Sequence, residues 1–552
     1  MAAELDLALG DPLRPSGPLT FAQAVADDQD EQVPELSLRA LRDWGYQRYQ
    51  VPESVGGRLS SLEELMSLGR VVARRDPAVA VIANSALAAA MPVWLAGDAE
   101  QRKAVADSVL GGRRVALGLT EPDHGADLLA SEVTGSLESE GYRLNGTKWL
   151  INNVRPAQYL CLLLREPERE GLRSLSLLLV DLDTLDPATY ELLPRIHTHG
   201  VRGADIAGIT FRNALVPASA RIGRPGRGLE ITAQSLLVTR TLIPGLSLGA
   251  LDTGLRCTAD FVRRRHLYGK AVEEIPYVQD ELAAVFLDAM VAEAVSRSCV
   301  RILHFLPELS PVSSAVAKYL VPHMAEKAMG RLARVLGARY FLREGHWSGI
   351  FEKLLRDVRL FGLFDGSEPV VLSALAAQVS CLAERDVDPR RADDVFRPGH
   401  ATVGNAIAPG VFDAVADDDP VTTDLLAVCD ALDERSRRGD ALRDAAGALR
   451  EAGADLFEGA QRSVDPRSQA GQRLGERYAR VFAAVCWAKS WLADSARVPP
   501  EWAAAGLLAL LRPHVRMPQP VSAALFGELT RQFSHQPSFP SPRVAAKETP
   551  AW

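Results

Sequence analysis

Leu354-Leu355-Arg356-Asp357-Val358-Arg359, followed after a short gap by Leu363-Phe364-Asp365-Gly366-Ser367-Glu368, is the stretch that decides how the rest of the chain is read. The first half is a charged segment of helical character. The second half breaks it, because an acid stands beside a glycine where a turn would aim its carboxylate into a cleft. Leu360, Phe361, Leu363 and Phe364 give that acid an apolar setting, which by desolvation favours the neutral carboxyl. Glu368 is the only other acid just downstream, and its side-chain direction is not readable from sequence.

Outward from this stretch, the totals bound the class. A chain of 552 residues has room for about three domains or more. Its 47% hydrophobic and 24% charged residues are ordinary globular values, and the low aromatic content with abundant Ala, Leu and Arg favours helices. A net charge of −8 provides no global field for nucleic acid. The six cysteines, Cys161, Cys257, Cys299, Cys381, Cys429 and Cys486, show no CxxC and no Cys/His metal spacing. They are expected to be buried thiols in a reducing compartment, with no metal bound. The acidic N-terminus is read as carrying no signal peptide. No uncharged apolar run of about 18 residues is expected, hence no membrane span. A cytoplasmic protein is the default expectation.

Along the chain, residues 1–34 read as a loose lead-in within an N-terminal helical domain of residues 1–114, with helices over Leu62–Arg74, Ala78–Ala96 and Ala99–Leu110. Residues 115–227 change character. Tyr142–Ile151 reads as a hairpin with Asn145-Gly146 at its tip, and Tyr159–Leu164, Leu175–Val180, Tyr190–Ile196 and Ala207–Phe211 are of strand length. Together they predict an antiparallel β domain. Residues 228–385 return to helices, over Leu229–Leu242, Ser247–Arg265, Tyr277–Leu306, Ser313–Leu336, Gly349–Phe361 and Glu368–Arg385, as in a four-helix-bundle-like domain. Residues 386–410 read as a linker, 411–537 as an additional C-terminal helical domain, and 538–552 as a tail. The fold class is mainly α with a middle β domain.

Six motifs in collinear order then carry a resemblance. They are Val51-Pro52-Glu53-Ser54-Val55-Gly56-Gly57, Leu119-Thr120-Glu121-Pro122-Asp123-His124-Gly125-Ala126-Asp127, Leu144-Asn145-Gly146-Thr147-Lys148 through Asn153, Gly200-Val201-Arg202-Gly203-Ala204-Asp205, the Thr239-Arg240 pair ahead of Arg264–Lys270, and the Asp365 segment. The chain resembles the acyl-CoA dehydrogenase family over roughly residues 36–384. The resemblance implies FAD as cofactor, an acyl thioester of coenzyme A or of an acyl carrier protein as substrate, and an electron-transfer flavoprotein or other acceptor as redox partner. It further implies a homodimer or homotetramer. Its catalytic residues carry over to Asp365, as base, and Arg240. Its flavin contacts carry over to Leu119, Thr120, Gly125, Ala126, Leu150, Asn152, Tyr268, Ser367 and, toward a neighbouring subunit's flavin, Arg265, Arg334 and Gly337. Residues 385–552 lie outside the family's common core and match only its long-chain members with an extra helical domain. A membrane-docking role for this region has little support in the sequence.

Departures from the family pattern concentrate at the chemistry. Asp365 stands where the family has Glu, one methylene longer. Thr239 occupies the alternative base position of some members and cannot replace a carboxylate. Ala126, Leu150, Asn152, Arg334 and the run Gly337-Ala338-Arg339-Tyr340 replace family residues near the flavin. The expected reaction is therefore FAD-dependent α,β-dehydrogenation of an acyl thioester. The alternatives are a flavin monooxygenase on the same fold, or a weakened subunit that completes a partner's site.

Overall fold

The computed structural model describes residues 1–382, 388–400, 402, 407, 412–413, 415–436 and 441–535. Six helices come first: α1 (Ala2–Leu9), α2 (Phe21–Gln29), α3 (Glu35–Trp44), α4 (Leu62–Ala73), α5 (Pro77–Ala96) and α6 (Ala99–Leu110). A sheet follows, built from β1 (Arg114–Gly118), β2 (Thr134–Glu138), β3 (Gly141–Asn152), β4 (Ala157–Arg165), β5 (Leu175–Asp181), β6 (Tyr190–Leu192), β7 (Ile206–Val216) and β8 (Arg221–Ile222). Then come α7 (Gly228–Arg264), a two-stranded hairpin of β9 (His266–Leu267) and β10 (Lys270–Ala271), α8 (Pro276–Phe305), α9 (Ser310–Leu336), α10 (Ile350–Asp357) and α11 (Glu368–Gln378). The C-terminal region holds α12 (Asp393–Phe396), α13 (Leu425–Arg435), α14 (Ala441–Ala460), α15 (Gln469–Ala493), α16 (Pro500–Leu511) and α17 (Gln519–His535).

The sheet order is β6-β7-β3-β2-β4-β5-β8, with β1 beside β4. Most pairings are antiparallel, but β1 runs parallel to β4. The Asn-Gly hairpin expectation is overturned. Residues 141–152 form one continuous strand, and the register against β7 shifts between Leu144 and Asn145, where β7 carries the extra residue, Asn213, at φ 58°. Gly146 adopts φ 118°, and a Cβ there would lie 2.9 Å from the Val133 Cα. The Asn145 side chain meanwhile exchanges hydrogen bonds with Asn213 on β7 at 2.8 and 3.1 Å.

Several other expectations change. The two helices expected over 229–265 are one helix of 37 residues that continues through the buried Pro244. Gly245 and Gly249 explain why packing overrides the proline. They bring α7 so close to α4 that a Cβ at either would stand 2.7 Å from the Met66 carbonyl or 2.6 Å from that of Arg70. Residues 1–34 are not a loose lead-in: Leu5, Leu9 and Phe21 are buried, and Arg75 donates to Asp6 at 2.8 Å and to the Gly10 carbonyl at 2.7 Å. The expectation of no long uncharged apolar run also fails. Helix α5 is 20 residues without a charge, long and apolar enough by composition to cross a membrane, but most of it is buried within the protein against α4, α7 and β1. In the described part of 386–410, the Arg301 guanidinium of α8 donates to the carbonyls of Asp394 and His400, both at 2.8 Å, which ties the segment down. The expected tail, 538–552, lies outside the described residues.

The segment around Leu354–Arg359 is where the domains join. Lys353 is buried and pairs at 2.6 Å with both Asp76, which caps α5, and Asp357. Asp357 in turn accepts the Val201 N–H at 2.6 Å. Gly200 lies so close that a Cβ would sit 2.9 Å from the Asp357 carboxylate. Arg356 pairs with Asp28 of α2 at 2.6 Å and donates to the His199 carbonyl at 3.0 Å. The Gly200–Asp205 turn and the Leu354–Arg359 segment are thus two halves of one contact. Burial works against the Lys353 charge, but Asp357 and Asp76 outweigh it and hold its pKa above the ordinary lysine value.

Candidate active site

After α10 the chain tightens into a 3-10 turn over Val358–Gly362 and reverses at Asp365-Gly366, both left-handed with φ of 56° and 117°. Aspartate tolerates that backbone better than longer acids, because its short side chain can bond locally. Gly366 is needed for a second reason: a Cβ there would come within 3.1 Å of Arg240 Nη2 and 3.2 Å of Val371. Arg240, on α7, donates its Nε–H to the Asp365 carbonyl. Its neighbour Thr239 donates its hydroxyl to Asp365 Oδ2 at 2.9 Å. Ser367 caps α11 without a side-chain hydrogen bond, leaving its hydroxyl uncommitted among the described residues. Glu368 points elsewhere; it is exposed and faces His323 at 4.0 Å. The structure therefore brings Asp365, Arg240 and Ser367 together and adds Thr239, whose value is as the partner of a carboxylate rather than its replacement.

Behind the turn lies Lys318 of α9, a buried lysine that sequence reasoning passed over. Its ammonium donates to the Phe361 carbonyl and lies 5.3 Å from the Phe364 ring centroid, within cation–π range. A single charge in the apolar run Ala315-Val316-Ala317-Lys318-Tyr319-Leu320 was the signal available. Burial pushes the Lys318 pKa down to about 8; Asp365 pulls it up and Arg240 pushes it further down. Burial also lowers the Arg240 pKa, partly offset by Asp365. Below about pH 8 the folded protein bears the full cost of a buried ammonium. Between there and the ordinary value of 10.5 the unfolded chain binds more protons, so stability rises with pH. Removing this group by Lys318→Met is expected to flatten the gain in stability from pH 7 to 9.5 by about 2 kcal/mol. Denaturation midpoints of both proteins at the two pH values check this.

On the sheet side, Lys148 of β3 is fully buried and organises the segment after β1. Its Nζ donates to the Leu119 carbonyl at 2.9 Å, to Glu121 at 2.7 Å and to the Ser131 hydroxyl at 3.0 Å. Burial pushes the Glu121 carboxyl up, but hydrogen bonds from Lys148, Ser131 and the Glu132 N–H outweigh it and leave the pKa below the ordinary value. The Trp149 N–H takes the Thr120 carbonyl at 2.9 Å. Leu119 and Thr120 are thus presented on a fixed backbone, and the Thr120 hydroxyl has no hydrogen-bond partner among the described residues. Leu150, left-handed at φ 54°, stands exposed beside them. Asn152 donates weakly to the Val81 carbonyl of α5 at 3.5 Å, and its buried Oδ1 has no partner among the described residues. Gly125 and Ala126 are exposed, with open space where a Gly125 Cβ would stand.

The remaining candidate residues sit apart. Arg265 ends α7, Tyr268 is the fully exposed tip of the β9–β10 hairpin, Arg334 pairs with Glu281 at 3.7 Å, and Gly337 ends α9 at φ 59°. None shares a hydrogen bond or ion pair with the Asp365 turn among the described residues. His197, two residues before His199, pairs with Glu31.

Family models for the acyl-CoA dehydrogenase N-terminal, middle and C-terminal domains match residues 20–113, 116–214 and 226–380. The chain belongs to the acyl-CoA dehydrogenase family. It is an oxidoreductase of the class acting on CH–CH donors, and FAD is the cofactor of its family. Among curated relatives it is similar to the 3-sulfinopropanoyl-CoA desulfinase of Advenella mimigardefordensis, 24% identical over 362 residues, covering 64% of this chain and 88% of that one. The human mitochondrial short-chain specific acyl-CoA dehydrogenase is 23% identical over 365 residues, 65% of this chain and 86% of that one. A Bacillus anthracis acyl-CoA dehydrogenase complexed with FAD matches in fold with a TM-score of 0.73 at 16% identity, over 96% of this chain and 94% of that one. That match extends through the C-terminal helices, beyond the region covered by the three family models.

The residues present fit FAD. Among the described residues the Thr120 hydroxyl is uncommitted and the buried Asn152 Oδ1 is an acceptor without a donor, as a flavin's polar edge requires. Leu119, Thr120, Leu150 and Asn152 would hold the cofactor on this face.

Proposed function

We propose that the protein is a FAD-dependent dehydrogenase that introduces an α,β double bond into an acyl thioester, with Asp365 as the base. The observation that carries this reading is the fixed carboxylate: Oδ2 is held by Thr239, which leaves Oδ1 for the substrate. In the proposed reaction Asp365 takes the α-proton, FAD would supply the acceptor for the β-hydride when bound, and the product is a 2,3-enoyl thioester. The α-proton becomes acidic when the thioester oxygen is polarised. The Asp365 N–H suits that role, having no acceptor among the described residues. Arg240, through the Asp365 carbonyl, keeps the N–H and carboxylate of one residue in register. Phe361 and Phe364 pack edge to face beside the turn, with Lys318 and Arg240 as its charged neighbours.

The substrate is a thioester of coenzyme A or of an acyl carrier protein, and the electrons pass to an electron-transfer flavoprotein or another acceptor. The exposed Leu267, Tyr268, Tyr277, Phe341 and Leu342 support assembly into a homodimer or homotetramer. Cys161, Cys257, Cys299, Cys429 and Cys486, buried and unpaired among the described residues, support a cytoplasmic location. Anaerobic titration of the yellow protein with short-, medium- and long-chain acyl thioesters, on coenzyme A and on carrier protein, tests the reading. Bleaching of the flavin by at least one is expected. No bleaching, with oxygen incorporated into product once the flavin is reduced externally, would overturn it.

A further inference from the structure

The base turn is held from a direction the common family core does not supply. Ser367 caps α11, so the helix begins three residues after Asp365, and any shift of α11 carries the turn with it. Helix α11 buries Val371, Leu372 and Leu375. Against it lies α15 of the C-terminal region. Gln472 donates its side-chain amide to the Pro369 carbonyl at 3.0 Å and to the Ser373 hydroxyl at 2.7 Å. At Gly475 the two helices meet so closely that a Cβ would stand 2.3 Å from the Leu372 carbonyl oxygen and 3.1 Å from its carbon. That is backbone against backbone, which no side-chain rotation relieves. At the other end of the segment Lys318 holds the Phe361 carbonyl. The segment from Phe361 to Ser373 is therefore gripped at both ends, and one of the grips comes from about a hundred residues further along the chain.

We propose that α15 sets the position of the Asp365 turn, with Gln472 and Gly475 as positioning residues that act through α11. The C-terminal region is then part of the active-site scaffold rather than only a cover for the bundle. The inference rests on the reading of Asp365 as base. It follows from how little tolerance proton transfer has: a displacement of about 1 Å costs on the order of a hundredfold in rate. One extra methyl at Gly475 must move α15 or α11 by a comparable distance.

The test uses the full-length, FAD-loaded protein and the variants Gly475→Ala and Gln472→Ala. Arg512→Ala is the control, because Arg512 pairs with Glu451 inside the C-terminal region, remote from α11 in sequence. Two quantities are read: hydrogen–deuterium exchange of the amides over 363–372, and the limiting rate of anaerobic flavin reduction at saturating thioester. Faster exchange over 363–372 in both variants is expected, with the limiting rate lowered roughly ten- to a hundredfold. Flavin content, half-saturating thioester concentration and the control should stay at parent values. Unchanged exchange over 363–372 in the folded variants would overturn the proposal, and so would a normal limiting rate despite faster exchange. If Gly475→Ala fails to fold, Gln472→Ala, which removes only a half-exposed amide, carries the same test. If no thioester bleaches the parent protein, the reading of the reaction fails, while the exchange measurement still decides whether α15 holds the turn.

Discussion

Asp365→Asn should lower thioester-driven flavin reduction by about a thousandfold while the purified protein stays yellow. The amide keeps the size of the carboxylate and still accepts the Thr239 hydroxyl, so the turn keeps its shape. What is lost is the proton acceptor, and a positioned general base is worth roughly 10²–10⁴ in rate. Arg240 bonds the Asp365 carbonyl rather than its carboxylate, so the backbone anchor survives the change. Stopped-flow reduction without oxygen, parent beside variant, reads the effect directly. A variant that bleaches at the parent rate would remove Asp365 from the chemistry. Asp365→Glu is a weaker probe, because the longer side chain must occupy a left-handed residue and displace the Thr239 contact.

Lys353→Met should cost about 3–5 kcal/mol of stability, the range expected when one partner of a buried ion pair is removed. Here two carboxylates, Asp76 and Asp357, would lose their shared counter-ion at once. Asp357 also holds the Val201 N–H, so the damage should spread to the junction between the sheet and the bundle. Chemical denaturation of parent and variant measures it. A loss under about 1 kcal/mol would mean that the two acids are satisfied without the lysine.

Much of this was legible in the chain. The Asp365-Gly366 turn is readable because left-handed backbone restricts the residue types that tolerate it. The Leu119–Thr120 segment is readable because its glutamate and the distant Lys148 both sit in recognisable motifs, although their pairing appears only when β3 lies beside the end of β1. Three things were not legible, each for a physical reason. Asn145-Gly146 carries the chemistry of a turn, but Gly146 keeps its positive φ inside a long strand packed on Val133, and only the partner strands decide between the two. Pro244 reads as a break, yet packing of α7 on α4 through Gly245 and Gly249 keeps the helix whole. The role of Gln472 was out of reach, because polar residues of its kind are common on helix faces. Nothing local tells a solvated glutamine from one that clamps a helix 103 residues away in the chain.

Proton removal at the α-carbon can be watched by itself with an acyl thioester carrying sulfur in place of the β-carbon, from which no hydride can leave. Incubated in D₂O with the parent protein, such a thioester should exchange its α-protons for deuterium, followed by proton NMR, and Asp365→Asn should abolish the exchange. Exchange at the parent rate in that variant would contradict Asp365 as the base.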